Sequence, residues 1–310
     1  MEILNWPIDS QLKQETEKHY RTRFAQSLKD KDPLTTIRLM TFDGVVPKIE
    51  IQDLENLIDF VEKNFLKKKI KGIGVEVGSG PATFSSVLAK RGLVQKIYAV
   101  EVCESIVRLL MPKVVRYILD DNEQKVSGVI GSFDDMRLPS ESVDFIFDFF
   151  SLHHSSDLSR TLKECHRILK KDGFIFCFDK ARPDYFTSQD LDELLDKECF
   201  EEEKKVLDDP DRIISRRMLG EREFRLRDWK SYLLGAGFQK IESFNLSKLN
   251  QRFIKKLIAA IPARIQSRIN KLLPKSKFNH KFILDQRNKV YSKLVNPFPK
   301  DISLLIAYKE

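Results

Sequence analysis

Two carboxylates flank a glycine-rich stretch in this chain. Glu76 lies inside the apolar run Ile73 to Val77, which breaks at Gly78-Ser79-Gly80-Pro81. Glu101 closes a second apolar run, Ile97-Tyr98-Ala99-Val100, twenty-one residues beyond Gly80. Glycines 78 and 80 have no Cβ, so the backbone there can bend sharply and approach a ligand closely. A helix beginning at Thr83 would present unpaired N–H groups to an anionic end. A carboxylate at the distance of Glu101 can accept both hydroxyls of a ribose. The chemistry suggested is the grip on an adenosine-containing ligand. The bland alternative is a tight strand-to-helix connection.

The turn alone leaves two ligand classes open. Dinucleotides use G-x-G-x-x-G, and the third position here is Thr83, so that match is incomplete. S-adenosylmethionine has no phosphate and carries a positive ammonium and sulfonium, which suit an acid inside the preceding strand. Glu76 is that acid, and a carboxylate at a buried strand end is costly without a partner.

Further along, His153 and His154 follow Phe150-Ser151-Leu152. A histidine near a reacting centre can take a proton at neutral pH, although a pocket-wall role ranks ahead of a base. Asp148, near the end of the same apolar run, could face cofactor or substrate, while Asp144 reads as structural. In Asp179-Lys180-Ala181-Arg182, the two cations could hold an anionic substrate, with solvated loop charges ranking slightly ahead. Cys103, Cys165, Cys177 and Cys199 form no C-x-x-C pair. They read as reduced, partly buried thiols of a cytosolic protein, not as zinc ligands or a redox pair. No metal site is expected; Asp134, Asp135 and His154 are the trio considered and set aside.

These residues need elements to hold them. The spacing predicts strands at 72–77, 96–101, 126–130, 143–149 and 173–179, and helices at 83–91, 103–119 and 156–170, with Gly173 ending the last. Nearly continuous apolar runs such as Phe174-Ile175-Phe176-Cys177-Phe178 indicate strands buried on both faces. Alternation of this kind implies a doubly wound parallel sheet, with ligands beyond the carboxyl ends of the strands. Residues 1–70 read as an N-terminal helical cap, with an apolar stripe at Ile51, Leu54, Leu57, Ile58, Val61 and Phe65. An acidic helix is expected at 190–206 and another helix at 226–236. Strands are expected at 238–246 and 302–308.

Taken in order, the motifs resemble the class I S-adenosylmethionine-dependent methyltransferases with a methyltransferase type 11 core. The resemblance rests on Val75-Glu76-Val77-Gly78-Ser79-Gly80, on Ala99-Val100-Glu101, and on Gly131-Ser132-Phe133-Asp134-Asp135-Met136-Arg137-Leu138-Pro139. It rests also on Phe150 to His154 followed by Leu162 to Gly173. It implies a doubly wound, seven-stranded Rossmann-like sheet, an α/β fold, with S-adenosyl-L-methionine as cofactor. It places Glu76, Gly78, Ser79, Gly80, Glu101, Val102, Ser132, Phe133, Asp134 and Phe149 around the cofactor. His154, His153 and Asp148 become the catalytic candidates. Ser132 stands where the family usually has an acid for the adenine amino group, so Asp134 or Asp135 could substitute. Ala82 replaces a common third glycine.

The resemblance also divides the chain: a cap at 1–70, a cofactor-binding core at 71–246, a basic helical insertion at 247–300 and a final core strand at 301–310. The net charge is +8. Between Ser247 and Lys300, ten Lys and four Arg against one Asp give +13, which leaves 8 − 13 = −5 for the rest. Between Phe253 and Leu273 the apolar residues share one helical face, with lysines and arginines on the other. Such a helix could touch an anionic membrane surface, cover the substrate, or bind RNA. Few aromatics accompany the charges, so a small-molecule, lipid or saccharide acceptor ranks above nucleic acid. An RNA methyltransferase and a non-catalytic scaffold are the rivals. No leader or bilayer-spanning run is apparent, so a cytoplasmic protein, with peripheral membrane contact as a variant, is expected.

Overall fold

The computed structural model of the chain describes residues 1–17, 22–42, 49–197, 215–245 and 302–310. Its centre is one mixed sheet of eight strands, in the order β1-β4-β3-β2-β5-β6-β8-β7. The strands are β1 (Glu2–Asn5), β2 (Gly72–Val77), β3 (Val94–Glu101), β4 (Val126–Ile130), β5 (Val143–Phe149), β6 (Leu169–Lys180), β7 (Gln239–Asn245) and β8 (Ile302–Tyr308). The first six run parallel. β8 inserts antiparallel between β6 and β7. Helices in chain order are α1 (Ser10–Thr16), α2 (Thr22–Leu28), α3 (Pro33–Phe42), α4 (Ile51–Asn64), α5 (Thr83–Ala89), α6 (Glu104–Leu109), α7 (Met111–Leu119), α8 (Leu158–Ile168), α9 (Ser188–Asp196) and α10 (Leu226–Gly235).

The strand order reverses direction at β2 and β5, which creates the crevice where such sheets take ligands. Alternation along the strands fills both faces. Phe145, Phe147, Phe174, Phe176 and Phe178 pack into one core with α4, α5 and α7. Val75, Val77, Ile146, Ile175 and Cys177 pack into the other with α8 and α10. Each fully buried large side chain contributes roughly 1.5–3 kcal/mol, so the strand ends beneath the crevice rest on a stiff platform.

Three expectations about the elements need correcting. The sheet has eight strands, not seven, because residues 2–5 of the expected helical cap form an edge strand. Four residues are too few to show a period; only their alternation marks them, with Ile3 facing one core and Leu4 the other. The expected helix 103–119 is two helices that meet at Leu110. Pro112 lacks an N–H and disfavours helix just before it. Gly173 does not end a helix. α8 stops at Ile168, and β6 already includes Lys170, Lys171 and Gly173, with Asp172 at φ +67°. Cys103, Cys165 and Cys177 are free and fully, not partly, buried. β7 and β8 are paired neighbours although residues 246–301 separate them. The basic segment 247–300 with the helix expected at 253–273, Cys199, and most of the expected second half of the 190–206 helix lie outside the described residues.

Candidate functional site

β2 carries Glu76 into the crevice with 3% of its surface exposed. Its Oε2 accepts from Ser85 N at 2.7 Å and from Ser85 Oγ at 2.5 Å, in the first turn of α5. The N–H expected to face a ligand is thus held by this carboxylate. Burial pushes the Glu76 carboxyl up to about 8, against the opposing pull of the Ser85 hydrogen bonds. Glu101, at the end of β3, ties the turn from the other side. Its Oε2 accepts from Gly80 N at 3.0 Å and its Oε1 from Cys103 N at 2.9 Å. Val102 follows it, half-buried, at the start of the β3–α6 connection.

The turn itself is left-handed at three places, Gly78 (φ 62°), Gly80 (φ 51°) and Ala82 (φ 61°). The two glycines serve different ends. A Cβ on Gly78 would overlap the Cβ and Oγ of Ser151, whereas a Cβ on Gly80 would meet no atom within 4 Å. Gly78 is a packing requirement; Gly80 borders open space. Between them, the Ser79 hydroxyl is buried with no hydrogen-bond partner among the described residues. An open cradle, an orphaned hydroxyl and two carboxylates fit a donor that bears an ammonium and ribose hydroxyls.

The loop after β4 begins at Gly131, whose N–H donates to Glu101 O at 3.1 Å. Ser132 Oγ accepts from Asp134 N at 3.1 Å. The Asp134 carboxylate turns the other way, accepting from Thr161 Oγ1, from Ser155 Oγ at 3.4 Å and from Ser156 Oγ at 3.3 Å. Asp135 pairs with Arg137 at 2.8 Å. Both acids expected to substitute at adenine therefore already hold protein groups. Phe133 leans on the second core. Phe149, at the end of β5, stacks its ring 4.4 Å from that of Phe84.

On the far side of the glycine turn lies a buried polar cluster. Ser151 Oγ donates to Gly78 O at 2.8 Å, joining the cofactor turn to the short 3-10 turn Leu152–His154. Asp148 is fully buried beneath that turn. Its Oδ1 accepts from Ser151 N and Leu152 N, both at 3.0 Å, and its Oδ2 has no partner among the described residues. Burial, with Asp179 adding a like charge, pushes the Asp148 carboxyl well above the usual carboxylate range. His153 is buried too. Its Nδ1 lies 2.7 Å from Asp179 Oδ1, and its backbone N–H donates to Asp179 Oδ2 at 3.0 Å. Burial opposes a charge on His153, but Asp179 outweighs it and the imidazole sits above its ordinary value.

The cluster is completed by a segment that sequence reasoning passed over as irregular and charged. Residues 215–225 run back along β6's end, with Arg182 N donating to Phe224 O and Leu226 N to Arg182 O. Glu221 from this segment faces His153 Nε2 at 3.5 Å and His154 Nε2 at 3.9 Å. It also pairs with Lys180, and with Arg216 at 3.0 Å. Burial would raise the Glu221 carboxyl, yet His153, Lys180 and His154 hold it far below the usual range. Glu223 is clasped by Arg182 at 2.6 and 2.8 Å and by Arg216 at 2.6 Å. Lys180 and Arg182 are therefore not solvated loop charges; Arg182 is buried, Lys180 is half-buried, and both are paired. The signal for this strap was the alternation of signs in Arg216-Arg217 and Glu221-Arg222-Glu223 around Gly220.

Comparisons agree with this geometry. A family described as a methyltransferase domain matches residues 75–177. Malonyl-[acyl-carrier protein] O-methyltransferase 1 of Coxiella burnetii is 27% identical over 146 residues, covering 46% of this chain and 44% of that protein. The uncharacterized methyltransferase YcgJ of Bacillus subtilis is 27% identical over 128 residues, covering 41% of this chain and 44% of that protein. The chain thus spans less than half the length of these curated relatives. Haemonchus contortus phosphoethanolamine N-methyltransferase 2, solved with phosphomonomethylethanolamine and S-adenosylhomocysteine, shares the fold. Its TM-score is 0.55 at 14% identity, over 98% of this chain and 61% of that one. Glycine turn, flanking acids, strand order and family match converge on one stretch: residues 75–177 match a methyltransferase domain.

Proposed function

We propose that this chain transfers a methyl group from S-adenosylmethionine to a small-molecule, lipid or saccharide acceptor held at the polar cluster beside the glycine turn. One observation carries the reading. The turn and its two carboxylates lie at the strand-order reversal, one hydrogen bond (Ser151 Oγ to Gly78 O) from the turn that bears His153 and His154. Glu76 would face the donor's ammonium, and Glu101 would exchange the Gly80 N–H for ribose hydroxyls. Ser132, Phe133 and the Asp134 backbone would flank adenine, with Val102 and Phe149 beside it. The bound donor brings a methyl group already activated on sulfonium, so the protein's work is to align donor and acceptor and exclude water.

The acceptor side supports a compact substrate. His153, Asp179 and Glu223 are buried, and the strap 215–225 covers them. Asp148 serves to shape the turn under the histidines, since one of its oxygens is spent on two backbone N–H groups. His154, the more open of the pair, borders the acceptor. The relatives' printed names include an acyl-carrier-protein O-methyltransferase and a phosphoethanolamine N-methyltransferase. That breadth leaves the methylated atom to be found by assay.

Calorimetry with S-adenosylmethionine and S-adenosylhomocysteine tests the donor half. Wild type should bind both, and Glu101→Gln should weaken binding about tenfold or more, the cost of a lost charged hydrogen bond. Formation of S-adenosylhomocysteine should then be followed with small hydroxyl, amine and carboxyl acceptors, with RNA and with anionic vesicles. Turnover on RNA alone would replace this acceptor reading, and absence of donor binding would remove the reading entirely.

A further inference from the structure

We infer that His153, His154 and Glu221 form a binding site for a divalent transition-series cation of the zinc type, on the acceptor side of the crevice. Among the described residues, these three offer ligand atoms that all lie within 4.8 Å of one another. Two imidazoles and one carboxylate are a donor set that zinc, cobalt and iron accept and that magnesium and calcium disfavour.

The independent observation is His153. Its side chain is 2% exposed, and its Nε2 has no hydrogen-bond partner among the described residues. That nitrogen faces Glu221 Oε2 at 3.5 Å. Its other nitrogen is fixed on Asp179 Oδ1 at 2.7 Å, with a second bond from the His153 backbone N–H to the same carboxylate. A carboxylate on the remote nitrogen of an imidazole is the arrangement that orients a ligating histidine and raises its basicity. Asp179 thus positions His153 for a partner at Nε2. His154 stands beside it, ring centroids 4.2 Å apart, with Nε2 3.9 Å from Glu221 Oε1. Bonds of about 2.1 Å hold tetrahedral donors roughly 3.4 Å apart, so binding needs only a modest closing of partly exposed His154 and Glu221. Three protein ligands leave a coordination position for water or an acceptor oxygen, the pattern of catalytic rather than structural zinc sites.

Lys180 and Arg216 also contact Glu221 Oε2. They compete with the cation for that oxygen, which supplies a discriminating test. Full-length protein stripped with chelator is titrated with Zn²⁺ alone, Co²⁺ alone and Mg²⁺ alone, by calorimetry and, for Co²⁺, by visible absorption. One equivalent of Zn²⁺ or Co²⁺ should bind, with no comparable binding of Mg²⁺. His154→Ala should weaken binding at least tenfold, Glu221→Gln likewise, and Lys180→Met should tighten it several-fold. Metal-free thermal unfolding checks that each variant is folded; should Glu221→Gln fail there, His154→Ala and Lys180→Met decide. S-adenosylmethionine binding is measured on the same samples, so failure of the cation site and failure of the methyltransferase reading appear in separate columns. No Zn²⁺ uptake, or uptake unchanged in His154→Ala, overturns the site. So does a Lys180→Met variant that binds no more tightly than wild type.

Discussion

At the scale of single residues, Glu76 carries a charge decision. Its carboxyl, raised to about 8 by burial, holds a proton at neutral pH that the unfolded chain, with an ordinary value of 4.5, has lost. Between those two values this group's contribution to stability declines as pH rises, by at most about 1.4 kcal/mol per pH unit. An ammonium brought against Glu76 favours its ionised form, so donor binding near pH 7 should release up to one proton and strengthen as pH approaches 8. Calorimetry in buffers of different ionisation enthalpy measures this directly, and Glu76→Gln should abolish the proton release. The glycines divide the other way. Gly78→Ala should destabilise strongly, because strained backbone and overlap with Ser151 add. Gly80→Ala should cost only about 1–2 kcal/mol of stability yet reduce donor affinity, since its methyl enters open space. Denaturant melts beside donor titrations separate the two effects.

At the scale of elements, the strap 215–225 pairs with the buried groups at the ends of β5 and β6. Its anchor is the Arg182–Glu223 pair, whose side chains are 7% and 0% exposed. Burial works against Glu223, but Arg182 and Arg216 together hold its carboxyl below the usual range. Removing one partner of such a pair leaves a buried charge uncompensated. Glu223→Ala should therefore destabilise by about 3–5 kcal/mol, while a double replacement by apolar residues of similar volume should recover much of it. Urea unfolding of the two variants is the measurement. Trp229 supports the same corner, its Nε1–H donating to Lys180 O at 2.7 Å from α10.

At the scale of the whole molecule, β1 extends the sheet beyond β4, and the chain after it crosses the cofactor loop. Trp6 N donates to Ile130 O at 2.9 Å, and the Trp6 side chain would stand only 3.0 Å from a Cβ on Gly131. Deleting residues 1–6 should leave the other seven strands able to form. It should also expose the edge of β4 and lower the melting temperature. Because the loop from Gly131 loses its packing partner, donor affinity should fall as well. Thermal melts and donor calorimetry on the truncated chain test both halves. No helix among the described residues is long and apolar enough to cross a membrane.

The parallel core was legible in the order of residues because strands buried on both faces must be continuously apolar, and Ile73 to Val77 or Phe174 to Phe178 can be little else. That Glu76, the glycine turn and Glu101 lie together was legible because neighbouring strand ends meet at such a turn. β1 was not, since four residues cannot display a period, and the break before Pro112 was hidden inside a continuous apolar stripe. The buried polar cluster lay furthest from view. Asp179, His153, Arg216, Glu221 and Glu223 sit up to seventy residues apart in the chain, and each alone reads as an ordinary polar residue. What joins them is burial: charges removed from water must find one another, and which ones meet is decided only when β5, β6 and the strap are brought to the same edge of the crevice.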